Sequence, residues 1–456
     1  MTLGIPEEVY EIVKKLEDSG YEVYIVGGAV RDLLMGKPVV DWDFTTNATP
    51  EAIQKTFPNS FYDNKYGTVG IQSKSGFKPH EITTYRTEHG YSDHRRPDKV
   101  LWGKSLEDDL KRRDFTINAL ALQIGPFTPG KPRKHKVIDL FEGQKDLKNK
   151  TIKAVGDPVG RFTEDALRML RAVRIAAQLG FVIEETTFTA MQNTANLINQ
   201  IASERVRDEL IKIICSKYPY EGLLILKNSL LLHEVLPELE ANFGIEQKSP
   251  GRHHIYDVGT HLLMALKFCQ SANPITRFAT LIHDIGKAKT FKKLPDGTIT
   301  FYNHEVVSME IAARLADRLR FSKTDKDTLV KLVRWHMFSV NENQTDSAIR
   351  RFIKNISPEN IPEILTLRKA DRLGGGATET SWRFEKFKAR IVEVQKQPFA
   401  VRDLKIDGND IMQELGLKPG PKVGEILNNL FAEVVEKKLE NSKTSLINKL
   451  KTYSLD

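Results

Sequence analysis

The stretch VVDWDFTTNATP, residues 39–50, sets Asp41 and Asp43 two positions apart in an otherwise apolar run. On a strand, side chains at i and i+2 point to one face, so these carboxylates are expected side by side. Two anions that close repel unless a cation lies between them. Hard carboxylate oxygens suit Mg2+, which keeps open positions for substrate phosphates. Two such ions can activate a 3′-hydroxyl and stabilise a leaving pyrophosphate. Solvated surface acids are the alternative. Just upstream, VGGAVRDLLMG (26–36) puts Gly27 and Gly28 where backbone can approach a phosphate without Cβ interference. Arg31 and Asp32 open the following helix, whose N-terminus favours an anion that Arg31 can hold.

A second constellation lies in the C-terminal half. VGTHLLMAL, LIHDIGK, NHEVV, RWHMF and KADRLGG place His261, the pair His283–Asp284 and Asp371 in the order H…HD…D. Neutral imidazoles and carboxylates on helices can converge on a divalent metal with open water positions. His304 and His336 are further candidates as ligands or phosphate contacts. The alternative is a set of histidines that only pack or hydrogen-bond. Near the C-terminus, LGLKPGPKVGEILNNLF puts Pro-Gly-Pro between two helices. Such a turn exposes backbone N–H groups near Lys418 and Lys422, a phosphate cradle. Tight helix packing is the alternative there.

These residues must be held by a chain of 456 residues, enough for two to four domains. The composition, 40% apolar and 28% charged, is that of a globular protein. No run approaches the ~18 apolar residues of a membrane span. The N-terminus carries Glu7, Glu8, Glu11, Glu17 and Asp18 at helical spacing and lacks the pattern of a signal peptide. Cys215 and Cys269 are the only cysteines, which disfavours a disulfide framework and fits a cytoplasmic location. The net charge of +8 suits a polyanionic partner without demanding one.

Periodicity predicts a helix over 6–19 ending at Gly20, a strand in YEVYIVGG, and a helix in AVRDLLMG closed by Gly36. VVDWDFTT is expected as a second strand. Thr49 should cap the next helix, with Pro50 at its first position. GTVGIQS and HEITTYR are expected strands. From residue 139 the pattern is helical. TEDALRMLRAVRIAAQLGF is expected as one long helix capped by Thr163, and SERVRDELIKIIC as another capped by Ser203. PDGT (295–298) predicts a hairpin turn. The class expected is α+β: an N-terminal head with a small mixed sheet, then an all-α neck, body and tail. The boundaries expected are 1–138, 139–235, 236–397 and 398–456.

The combination GGAVRDLLMGKPVVDWD resembles the nucleotidyltransferases of the tRNA CCA-adding enzyme and bacterial poly(A) polymerase family. TTYRTEHGYSDHRRPDKVLWGKSLEDDLKRRDFTINALAL (83–122) resembles that family's flexible loop and its RRDFTINA motif. Residues 137–181 and SERVRDEL (203–210) are similar to its neck. The resemblance covers about the first 210 residues, with five motifs in family order. It implies that Asp41 and Asp43 hold catalytic Mg2+ and that Gly27, Gly28, Arg31, Asp32 and Arg113 serve the nucleotide. Glu81 is a candidate third carboxylate, or the partner of a neighbouring Arg. Arg112 is a further candidate in the RRD motif.

The helix in EDALRMLRAVR would carry Asp165, Arg168, Arg171 and Arg174 as a slowly drifting stripe. A salt-bridged surface stripe is the structural alternative. An Asp accepts from the exocyclic amine of cytosine or adenine, and an Arg donates to ring nitrogens and carbonyls. Uracil and guanine present a carbonyl there and would leave the Asp unpaired. The resemblance implies a protein template in which Asp165 and Arg168 read the base and Arg171 and Arg174 support them. The partners implied are tRNA lacking its CCA end, CTP and ATP, with no membrane, for a monomer or homodimer. The full-length loop disfavours an enzyme adding only CC; a poly(A) polymerase or A-adding enzyme is the close alternative.

The His/Asp pattern resembles the HD phosphohydrolase domain, which is fused to some bacterial CCA-adding enzymes. It implies a divalent transition metal (Ni, Co, Mn or similar) and phosphatase or 2′,3′-cyclic phosphodiesterase chemistry. The tail resembles a helix–hairpin–helix tip that grips an RNA backbone through Lys418 and Lys422. A hydrolase with an RNA-binding head is the reading from another class.

Overall fold

The structure is a computed structural model that describes residues 4–63, 67–73, 78–89, 99–102, 105–125, 134–247, 255–338, 344–395, 401–436 and 438–452. The centre of the loop expected within 83–122 lies outside the described residues. The chain divides into two compact units, Met1–Phe243 with Leu315–Phe321, and Gly244–Arg314 with Ser322–Asp456. Among the described residues no helix is long and apolar enough to cross a membrane. The α+β class is as expected, with the sheet in the first unit and helices dominating the second.

In the first unit, a seven-stranded mixed sheet holds β1 (Val23–Val26), β2 (Asp43–Thr46), β3 (Phe61–Asp63), β4 (Thr68–Ile71), β5 (His80–Thr84), β6 (Leu120–Ile124) and β7 (His135–Asp139). Its order is β3-β4-β5-β2-β1-β6-β7, and β2/β5 is the one parallel pair among these neighbours. Helix α1 (Glu7–Asp18) buries Val9, Ile12 and Leu16 in a core with Ile25, Phe44 and Ile82. Gly20 then takes a positive φ, as its place after the helix predicted. Thr49 caps the helix Pro50–Thr56 by accepting from Ala52 N–H, also as predicted.

Three expectations need correction. Asp41 is not in a strand: β2 starts at Asp43, whose antiparallel partner is Val26. Residue 42 has no β1 residue to pair with, because the next residue, Gly27, turns the chain at φ 73° into α2 (Gly28–Leu34). The alternation still holds locally, since Trp42 and Phe44 are buried while Asp41 is exposed and Asp43 half-buried. The expected long helix starting at Thr163 is two helices, α3 (Pro158–Glu164) and α4 (Leu167–Leu179). Asp157 caps α3 with Pro158 behind it, and Thr163 instead bonds back to the Val159 carbonyl. Between the helices Asp165 is extended, φ −142° and ψ 102°. Ser203 is the first residue of α5 (Ser203–Ile214), not its cap; Ala202 holds that position with no side-chain bond.

In the second unit, α6 (Val258–Phe268), α7 (Pro274–Ile282), α8 (His304–Arg318), α9 (Lys323–Trp335) and α10 (Ile361–Gly374) carry the histidine cluster. A two-stranded hairpin pairs Lys292–Lys293 with Ile299–Thr300, so PDGT turns where expected. Further on come α11 (Trp382–Gln395), α12 (Gly408–Leu415) and α13 (Pro421–Val435). Pro421 starts α13 and Gly420 caps it, so the Pro-Gly-Pro turn does join two helices.

Helices α6 and α10 touch closely enough that a Cβ on Gly374 would lie 2.5 Å from the Ala265 nitrogen and 2.7 Å from its Cα. That approach sets His261 against Asp371 one turn away. Gly374→Ala should therefore cost about 1–3 kcal/mol by overpacking, seen as a lower urea midpoint; an unchanged midpoint would show that the contact is loose.

Candidate active site

In the first unit the structure gathers the residues that the sequence separates. The parallel register of β2 and β5 puts Asp43 beside Glu81. Burial, then Glu81, push the Asp43 carboxyl up to about 6, with Asp41 adding to the effect and Arg113 opposing it. Lys78 bonds Asp41 at 2.9 Å on the exposed side of the group. Gly27 needs its glycine: φ is 73°, and a Cβ there would stand 3.0 Å from Arg113 Nη1 and 3.7 Å from Asp43 Oδ2. Bare backbone, an arginine and a carboxylate thus meet at one point. All the acids offer hard oxygen donors, and Asp43 is raised chiefly by burial, with Glu81 beside it. That set fits a divalent cation such as Mg2+.

The arginines around this point are themselves oriented. Arg31 forks onto Asp32 at 2.9 and 3.0 Å and donates to Asn118 Oδ1 at 2.9 Å. Asp109, fully buried, accepts from Arg112 at 2.5 Å and from Arg113 at 3.2 Å. Burial alone would raise Asp109, yet the two guanidiniums hold it below the usual range. The structure turns Arg112 toward Asp109, while its carbonyl accepts from Arg168 at 3.2 Å.

The stripe is a ladder of ion pairs, and its first member is not on the helix. Asp165 accepts from Leu167 N–H at 3.0 Å and faces Arg205 at 3.3 Å. Arg168, on α4, reaches Glu164 at 2.5 Å. Arg171 grips Asp114 through Nε at 2.8 Å and Nη2 at 2.6 Å. Arg174 pairs with Glu209 of α5 at 3.1 Å. Burial works against the Asp114 anion, but Arg171 lowers its carboxyl to about 2. Asp109, Asp114, Asn118, Arg205 and Glu209 were not singled out from the sequence. All five lie in the quoted LEDDLKRRDFTINA and SERVRDEL stretches, and acids three and four residues before Arg112 and Arg113 were the available signal.

In the second unit all six expected residues of the His/Asp set converge. His261 Nε2 lies 3.4 Å from His283 Nε2, 3.3 Å from Asp371 Oδ1 and 3.6 Å from Asp284 Oδ2. His304 and His336 approach the other oxygen, Asp284 Oδ1, at 3.0 and 3.2 Å. One local device orients three of the rings. Nδ1 of His283, His304 and His336 sits 2.7–2.8 Å from the carbonyls of Thr280, Phe301 and Val333, each three residues back. A carbonyl can only accept, so Nδ1 carries the proton and each Nε2 lone pair faces the cluster. Among the described residues, the Nε2 atoms of His304 and His336 and Oδ1 of Asp284 are buried with no hydrogen-bond donor facing them. The donor atoms of His261, His283 and Asp371, and those of His283, Asp284 and His336, lie within 4.8 Å of one another. Orphaned, converging N and O donors fit a divalent transition metal. Lys287, missed in the sequence, bonds Asp284 at 2.6 Å and Gln247 at 2.8 Å.

Lys418 and Lys422 are exposed beside the Pro-Gly-Pro turn.

Known proteins match along the whole chain. Residues 23–153 match the family described as Poly A polymerase head domain, and 180–243 the one described as Probable RNA and SrmB-binding site of polymerase A. Residues 306–450 match tRNA nucleotidyltransferase domain 2. Residues 244–305 fall between the second and third matches. The chain is 34% identical to a CCA-adding enzyme of Ligilactobacillus salivarius over 98% of this chain and 97% of that protein. It is 33% identical to one of Levilactobacillus brevis over 97% and 98%. Among solved structures, a Bacillus stearothermophilus CCA-adding enzyme in complex with CTP is similar with a TM-score of 0.69 and 26% identity, over 98% of this chain and 96% of that one.

Asp114 offers a test of the ladder. Its folded pKa is depressed, so its stabilisation is present above the ordinary carboxylate value of 3.8 and is lost as pH falls toward about 2. Asp114→Asn should lower stability at pH 7 by about 2 kcal/mol, and the gap to the parent should close near pH 2. Urea unfolding at the two pH values measures this; a pH-independent gap would mean that the carboxylate charge is not what matters.

Proposed function

The chain belongs to the family of CCA-adding tRNA nucleotidyltransferases, and from that premise we propose that its first unit extends tRNA from CTP and ATP at the point where Gly27, Asp43 and Arg113 meet. The observation that carries this reading is Asp43, half-buried beside Glu81 and Asp41 under bare Gly27 backbone. Asp41 and Asp43 are the metal-holding pair, with Glu81 beside them. Magnesium bound there supplies activation of the RNA 3′-hydroxyl and neutralises charge on the leaving pyrophosphate. The 3′-oxygen attacks the α-phosphorus, the bond from that phosphorus to the bridging oxygen of the β-phosphate breaks, and the hydroxyl proton passes to solvent. Gly27 and Gly28 admit the triphosphate; Arg31 and Arg113, oriented by Asp32, Asn118 and Asp109, hold it.

Asp165 and Arg168 choose the base. The Asp165 carboxylate accepts from the amine of C or A, and its rigid mounting between Leu167 N–H and Arg205 makes a carbonyl in that place costly. Arg171 and Arg174, anchored on Asp114 and Glu209, support the reading helix. Lys418 and Lys422 take the RNA backbone without reading sequence. The head, neck, body and tail are assigned to 1–138, 139–235, 236–397 and 398–456.

In the second unit the cluster of His261, His283, Asp284, His304, His336 and Asp371 acts as a metal-dependent phosphohydrolase. Asp284 has two imidazoles on each oxygen, donors enough for more than one ion. A divalent metal held there supplies a water of lowered pKa. In the 2′,3′-cyclic phosphodiesterase form, water oxygen bonds to phosphorus, the bond from phosphorus to O2′ or O3′ breaks, and that oxygen takes the water's proton.

Incubating tRNA that lacks its tail with CTP, with ATP and with both separates the readings of the head. Both nucleotides should be incorporated in the order C, C, A; ATP incorporation alone, onto tRNA already ending in CC, would establish an A-adding enzyme. Asp43→Asn should lower incorporation at least ~100-fold. If Asp41→Ala leaves it intact, the head is an RNA-binding module. Separately, His283→Ala should remove bound Ni, Co or Mn, measured by metal analysis of the purified chain, and any hydrolysis of 2′,3′-cyclic nucleotides, with nucleotide addition retained. Hydrolysis that survives this variant would rule the cluster out.

A further inference from the structure

Two cavities adjoin the histidine cluster. The first, about 520 Å3, opens directly onto Asp284, His304, His336 and Asp371. Tyr302 and Met337 also line it, 76% and 57% exposed. The second, about 640 Å3, lies beyond and is lined by Trp382, Arg383, Ser381 and Phe384. Met337, Arg368 and Arg372 line both, so the two form one continuous groove. Among the described residues, its far half is lined by three arginines and no carboxylate. In the near half the acid among the described lining residues outside the metal-ligating set is Glu305, which faces Arg334 at 3.6 Å. Each half offers an exposed aromatic ring: Tyr302 near the cluster, and Trp382, 62% exposed, in the second cavity.

The arginines are positioned. Arg368 donates to Asp371 Oδ2 at 3.1 Å, so the junction of the two cavities is tied to a metal-ligating carboxylate. Arg372 is fixed by the carbonyls of Thr378 and Thr380 at 3.1 and 3.4 Å. Arg383 lies over the Trp382 ring at 5.1 Å. A groove that alternates exposed rings with fixed guanidiniums matches a chain that alternates flat bases with phosphodiesters. A mononucleotide would fill only the first cavity.

We propose that this groove binds the 3′ end of a single-stranded RNA over at least two nucleotides, with the terminal phosphate at the histidine cluster and the penultimate base on Trp382. This rests on the reading of the cluster as a phosphohydrolase and names its substrate class. Arg368 and Arg372 meet the phosphodiester between the two nucleotides. Trp382 is then a specificity residue that selects a polynucleotide end over a free nucleotide.

The test uses the full chain with Mn, Co or Ni and compares a 3′-phosphorylated RNA trinucleotide with the matching 3′-mononucleotide. The trinucleotide should be hydrolysed with a kcat/KM about tenfold higher. Trp382→Ala should raise KM for the trinucleotide about tenfold more than KM for the mononucleotide, and Arg372→Gln should act in the same direction. Thermal melting reports that each variant is folded. Binding is read separately, without metal, as trinucleotide quenching of tryptophan fluorescence, which Trp382→Phe should remove. Quenching that depends on Trp382 without hydrolysis by any metal would end the hydrolase reading and leave the groove standing. Equal hydrolysis of both substrates, insensitive to Trp382→Ala, would overturn the groove and leave the hydrolase. Neither quenching nor hydrolysis would overturn both. Preferred hydrolysis of a phosphoserine tripeptide would assign the groove to protein and overturn the proposal.

Discussion

A carboxylate removed from water must find a positive charge or hold a proton, and this constraint organises the protein. Most buried acids here are matched by arginine. Asp109 faces Arg112 and Arg113, Asp114 faces Arg171, and Glu209 faces Arg174. The last two pairs fasten the RRD segment and α5 to α4. Asp43 stands apart, pushed up to about 6 by burial and by the acid beside it in the sheet. In the second unit, two carboxylates share four imidazoles, and those of His283, His304 and His336 turn their Nε2 lone pairs inward.

The same constraint separates scaffolding from chemistry. A guanidinium forked onto an acid is oriented and still has N–H groups to offer, as Arg31 has beyond Asp32 and Asn118. Preorganised donors of that kind stabilise developing charge without rearranging during the reaction. In the histidine cluster the equivalent role falls to backbone carbonyls three residues back, which orient the rings of His283, His304 and His336. Two glycines stand where atoms must come close: Gly27 under Arg113, and Gly374 where α6 meets α10.

Much of the head could be read directly from the chain. The glycine pair, the DWD spacing, the RRDFTINA motif and the arginine stripe are local in sequence, and local patterns carry strand, turn and helix signals. Thr49 as a cap, Gly20 and Gly36 as stops, and the PDGT hairpin followed from backbone preferences of single residues. Helix boundaries set by competition between caps did not: Asp157 and Pro158 outcompete Thr163 for α3, and Asp165 breaks the chain before α4.

The sequence by itself determined which residue types were available and in what order: two acids after two glycines, an Asp and three Args at near-helical spacing, and H…HD…D on apolar helices. Only the tertiary structure decided what each one faces. Asp43 meets Glu81 because β2 and β5 pair in parallel across 38 residues of chain, and Asp41 leaves the sheet because Gly27 ends its partner strand. Arg171 belongs to Asp114, and Trp382 shares a groove with the histidines, through packing between segments far apart in the chain. Spacing fixes the face of one element; the partner across the gap is chosen by how elements pack, and charge is compensated only there.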